Sequence, residues 1–147
     1  MEDIRGNLRT YSKKEIAIEY LNLALREYVA GRNLNSVINL AGAAEEMLGK
    51  IASLNRSESA LERVQRLTRS WFNAVGKETP ANKDLNKHLL KVKNGIKHID
   101  GFDDLNIEFD MDREAKEIIR RAIENFNQIP GLNQSAELLA YYRHERT

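Results

Sequence analysis

Apolar residues recur at steps of three and four along most of this 147-residue chain, and only two prolines and eight glycines interrupt them. That spacing lines side chains along one face of an α-helix. So few breakers leave room for long helices joined by short connections. The length is that of one domain, at about 100–200 residues per domain, and a chain of this size buries about two-thirds of its unfolded surface without staples. The expected fold is all-α. It is an up-and-down bundle of four to five main helices, a single domain with a core over about residues 12–129 and a tail over 133–147.

Punctuation places the helices. The first is expected from Tyr11 to Ala30, where Ser12 stands three residues before Glu15 and Gly31 supplies the stop. Its apolar residues cover well over half the circumference, so it sits centrally or serves two interfaces, a pattern that points to a homodimer. The second, Leu34–Leu54, carries Val37, Leu40, Ala41, Ala44, Leu48 and Ile51 as a stripe thinned by the small residues Ala41–Ala44. Glu45 lies on the flank of that stripe and Glu46 points away. The third, Glu58–Val75, is capped by Ser59 with Glu62 and places Val64, Leu67, Trp71 and Val75 toward the core, with Arg63, Arg66 and Arg69 outside. Thr79-Pro80 opens the fourth, Ala81–Ile99, with proline at its first position. This helix buries Leu85, Leu89, Val92, Ile96 and Ile99 and turns Lys83, Lys87, Lys91, Lys93 and Lys97 to solvent. Residues 105–111 alternate apolar and polar, as an extended segment does. A fifth helix, Asp112–Gln128, packs Ala115, Ile118, Ile119, Ala122, Phe126 and Ile129, and the tail adds a short helix using Leu138, Leu139 and Tyr142.

Composition narrows the chemistry. Zero cysteines exclude disulfides, thiolate metal sites and cysteine nucleophiles. No apolar run approaches the roughly 20 residues of a membrane span, and Met1–Arg5 lacks the apolar stretch of a signal peptide, so a cytoplasmic location is expected. The net charge is only +1, so any nucleic-acid role must come from a local basic patch. There is no Gly-rich phosphate loop, HExxH pair or GxSxG elbow. A calcium loop counted from Asp104 would place Phe109 where glycine must turn and Ala115 at the twelfth position. His88 reads as a packed neutral histidine and His144 as a solvated one. No metal and no cofactor is expected.

The basic patch falls on the fourth helix, in Lys93-Asn94-Gly95-Ile96-Lys97-His98. Helical spacing sets Lys87, Lys91, Asn94 and His98 on one strip, with Lys93 and Lys97 one step round. A histidine, the residue type that titrates nearest neutrality, thus ends a lysine-rich face. The same arrangement also suits lysines that merely solvate a helix, with an imidazolium at its C-terminus.

The order cation, Asn, three variable residues and His, late in a helical bundle, resembles the signature of the HEPN superfamily (higher eukaryotes and prokaryotes nucleotide-binding). Residues Ala41–Lys50 are similar to the acidic second helix of several HEPN families, and the resemblance spans roughly residues 12–129. It implies a helical bundle that pairs as a homodimer, bringing two motifs to a shared cleft. It further implies either a metal-independent ribonuclease of toxin–antitoxin or phage-defence type, with an antitoxin-type protein partner, or a binding module for RNA or nucleotide. Carried over, His98 is the general acid/base that yields a 2′,3′-cyclic phosphate, and Asn94 orients the phosphate or the His. Lys93 stands in for the motif arginine, and Glu45 is their polar partner; Lys87, Lys91, Lys93 and Lys97 hold the nucleic acid. The lysine is the departure. Arginine offers a planar fork for bidentate phosphate binding, whereas lysine is a point charge on a flexible stem. Losing a well-aimed donor costs about 10²–10³ in rate. Three functions therefore stand: a binding module without turnover, a ribonuclease, and a dimeric scaffold for protein–protein contact.

Overall fold

A computed structural model describes residues 6–147. The polar Met1–Arg5 stretch, read above as no signal peptide, lies outside the described residues. The described chain is all-helical: α1 Lys13–Val29, α2 Leu34–Leu54, α3 Ala60–Ala74, α4 Asn82–Leu89, α5 Lys91–Gly95, α6 Met111–Asn127 and α7 Ala136–Glu145, with one 3-10 turn at Phe102–Asp104. None of these helices is long and apolar enough to cross a membrane.

Local chemistry sets most of the boundaries. The side chains of Ser12, Ser59, Asp110 and Ser135 each accept a backbone N–H from the first turn of the helix they precede. Ser59 and Glu62 complete a reciprocal capping box. Gly31 and Gly76 take the left-handed conformation that ends α1 and α3.

The core lies between α1, α2 and α6, with α7 closing one side. Leu21 and Leu25 of α1, Val37, Ile38 and Leu48 of α2, and Ile118, Ile119 and Phe126 of α6 are its larger members. Ala17, Ala24, Ala41, Ala44, Ala52, Ala115 and Ala122, all sealed from solvent, let the helices approach closely.

The tail docks. Leu138 and Tyr141 are buried against the core, Tyr28 of α1 meets Tyr141 and donates a hydrogen bond to Glu145, and Arg26 pairs with Glu137. Tyr141, rather than the exposed Leu139, is the second anchor. This contact gives α1 a second interface within the chain, while Tyr20 and Leu23 of the same helix stay 36% and 38% exposed.

Several expectations fail further along. The fourth helix is broken at Leu90 (φ −105°, ψ 9°) into α4 and α5 and ends at Gly95. Pro80 lies before the helix, whose cap is Ala81. The break lets α5 turn both Val92 and Lys93 inward, so Lys93 leaves the solvent side, while Ile99, at 73% exposure, never reaches the core. His88 is likewise exposed, not packed. In α3, Ala60 is buried, but Leu67, Trp71 and Val75 stand half-exposed, because the helix touches the body at its first turns and then overhangs it. Residues 106–110 after the 3-10 turn carry no regular secondary structure, and Phe109 packs against the core.

Candidate functional site

The motif residues separate into two environments. Lys93 is only 4% exposed; its Nζ donates to Glu45 Oε2 at 3.2 Å and to Glu46 Oε2 at 3.3 Å. Glu45 is 3% exposed, and its other oxygen lies 4.0 Å from Nε of buried Arg121, which donates no hydrogen bond among the described residues. Charges thus alternate along the contacts: Glu46, Lys93, Glu45, Arg121. Burying a charge is tolerable only when it is paired in this way.

The helix α2 is shaped for this cluster. Its small residues Gly42 and Gly49 flank Glu45 on one face. A Cβ at Gly42 would lie 3.0 Å from Lys93 Cγ, and one at Gly49 would lie 3.0 Å from Asn125 Nδ2. Asn125, fully buried, donates to the Glu45 carbonyl at 2.9 Å and accepts from Ala60 N–H at 2.7 Å, tying α6 to α2 and to the start of α3. A groove of about 580 Å³ opens over this floor, rimmed by Lys50, Gln65 and Asn94. Neither Arg121 nor Asn125 was singled out from the sequence. Both fall at helical steps of three from apolar α6 residues, Ile118 and Ala122, so a polar residue in core register was the available signal.

His98 lies elsewhere, and it and Asn94, which borders both grooves, are exposed. With Lys87 and Lys91 they line a groove of about 510 Å³ whose opposite wall holds Asp100, Asp104, Asn106 and Glu108. His98 lies three residues past the end of α5, so it is not on a helical strip with Lys87 and Lys91; the turn after Gly95 and the 100–108 segment bring them to one groove. Lys97 and His98 also line a wider groove of about 780 Å³, against Asn35, Ser36 and Asn39 of α2. Gly95 is what permits this packing, since Ile107 Cδ1 lies 2.6 Å from where its Cβ would be. Asp104 is partly committed, accepting the Asp100 backbone N–H at 3.0 Å. Lys87, Lys91 and Lys97 form no ion pair with another described residue.

Glu45 therefore meets Lys93 and not His98, and Lys93 shares no groove with His98. Among the described residues no group of three or more His, Asp or Glu side chains is placed to hold a metal ion. No protein-family model matches the chain, and comparisons with curated proteins and with solved structures find no match either.

Proposed function

We propose that this chain is a HEPN-like binding module that holds RNA or a nucleotide in the groove of Lys87, Lys91, Asn94 and His98, without turning it over. The observation that carries the reading is the withdrawal of Lys93. The residue in the place of the motif's phosphate-stabilising cation spends its charge on Glu45 and Glu46, inside the protein. Transition-state stabilisation needs a donor aimed at the developing charge, and this one is aimed at two carboxylates. Binding needs less. Lys87 and Lys91 are exposed and without an ion-pair partner among the described residues, and each can neutralise a phosphate. The facing Asp100 and Glu108 give the groove both signs. That suits a ligand carrying phosphates together with hydrogen-bond donors, such as the ribose 2′-hydroxyl.

The test is RNA binding over a salt series, run beside RNA cleavage in EDTA by the wild type and His98→Ala. Binding that weakens steeply with salt, with no cleavage by either protein, is the expected result. Cyclic-phosphate ends produced by the wild type and lost in His98→Ala would replace this reading with the metal-independent ribonuclease. Neither binding nor cleavage would leave the scaffold role, in which the lysines only solvate α4 and α5.

A further inference from the structure

The groove of Lys87 and Lys91 does not end at His98. His98, together with Gly95, Asp104, Asn106 and Ile107, also lines the wider groove that reaches α2. The two grooves therefore meet at His98, and a ligand long enough to pass the histidine enters the second. The chemistry changes across that boundary. Among the described residues that line the wider groove, Lys97 is the only Lys or Arg. Asp104 is its only acid, and that carboxylate already accepts the Asp100 N–H.

Apolar surface and side-chain amides take the place of charge. Ile99 and Leu105 line the groove at 73% and 57% exposure. From α2 come Asn35, Ser36 and Asn39, which the helical repeat sets on one face. All three are exposed. The amide of the neighbouring Asn33 is spent on Glu27, whereas none of these three makes a side-chain hydrogen bond within the described residues. A phosphate gains little from such a surface, but a nucleobase matches it. A base has two apolar faces and an edge of donors and acceptors, and an Asn amide carries one group of each kind. The aliphatic side chains can take the faces, the amides can take the edge, and the His98 ring at the boundary is a stacking surface.

Size and exposure select the form of the ligand. At about 510 and 780 Å³, each groove alone has the volume of a site for one drug-sized molecule, so the two together exceed a mononucleotide. A base held by its faces and its edge must also be unpaired, which a duplex does not offer. On the premise that the lysine groove holds RNA or a nucleotide, we propose that the ligand is a single-stranded RNA. Its backbone lies on Lys87 and Lys91, and one unpaired base seats in the wider groove against Asn35, Asn39 and Leu105.

The experiment follows a short, unstructured, end-labelled RNA by fluorescence anisotropy. Its competitors are the same RNA unlabelled, an abasic chain of equal length and charge, the RNA annealed to its complement, and AMP. The single strand should compete about 10-fold or more better than the abasic chain or the duplex, and better than AMP. Asn35→Ala combined with Asn39→Ala, at exposed positions where alanine favours the helix, should weaken the single strand about 10-fold. That variant should leave the salt slope and the affinity for the abasic chain unchanged. Lys87→Glu should weaken the RNA and the abasic chain alike. An abasic chain or duplex that competes as well as the single strand would overturn the base seat and leave the lysine groove standing. So would a double Asn variant that binds RNA like the wild type. AMP competing as well as the strand would overturn it by confining the ligand to one nucleotide. No binding of the labelled RNA at any salt would remove the premise and this proposal together.

Discussion

The aliphatic stem of Lys93 crosses the bare Cα of Gly42, where a Cβ would stand 3.0 Å from Lys93 Cγ and 3.1 Å from Ile118 Cδ1. Neither neighbour has room to give, since Lys93 is pinned at its far end by two carboxylates and Ile118 is a core residue. Gly42→Ala should therefore destabilise the fold by about 1–3 kcal/mol through overpacking, despite alanine's better helix propensity. Gly95→Ala makes the contrast. The atom in its way is the far end of Ile107, a side chain 39% exposed that can swing outward, so the cost should be under about 1 kcal/mol. Urea denaturation of the two variants checks the difference.

Truncating Lys93 leaves Glu45 buried, with only Arg121 near it. Lys93→Ala should cost about 3–5 kcal/mol, whereas Lys87→Ala, on the exposed face, should stay within about 0.5 kcal/mol. The triple variant Lys93→Met, Glu45→Gln and Arg121→Met should recover much of the loss, because it removes the three buried charges together. A Lys93→Ala variant as stable as Lys87→Ala would show that the cluster is wet and that its charges are solvated.

The amide of Asn125 holds three helices through two buried hydrogen bonds. Asn125→Ala strands the buried Ala60 N–H, at about 1–3 kcal/mol for the group left unsatisfied, while the Glu45 carbonyl keeps its bond within α2. Hydrogen exchange should then quicken first at the start of α3, which has few other ties to the body.

The Tyr28 hydroxyl is pushed up to about 12 by burial and by the nearby Glu145 carboxylate, and burial also raises Tyr141. A folded-state pKa above the unfolded value means stability that is complete below about pH 10 and is lost as pH rises toward 12. Both rings lie at the α1–α7 contact. Alkaline titration should show late tyrosine ionisation at 295 nm, coinciding with loss of α7 helicity, and Tyr28→Phe should shift that loss to higher pH. Ionisation of all tyrosines near pH 10 with α7 intact would remove the coupling.

For the groove, reversing Lys87 or Lys91 should weaken RNA binding, and each phosphate contact removed should lower the salt slope by about 1. Lys93→Gln is the informative control: at equal folded fraction it should leave the slope unchanged, because that charge is already neutralised inside the protein.

The sequence by itself determined the helices that carry the core. Ser12, Ser59 and Gly31 are local signals that act within one turn, and the bounds of α2 are those its apolar stripe predicts. It also marked Glu45 as flanking the core and Glu46 as pointing away, since a helix wheel gives directions. What it could not determine was which surface each direction would meet. The lysines of residues 83–97 read as one solvated face, yet a break at Leu90 turns Lys93 inward to a carboxylate 48 positions earlier in the chain. The apolar surplus of α1 read as a homodimer face; α7 covers its Tyr28, and Tyr20 and Leu23 stay at the surface. The α3 stripe read as core, and it overhangs. In each case the deciding term was a pairing between distant segments, set by which buried charge or apolar face another element could satisfy; periodicity along one helix carries no record of that choice.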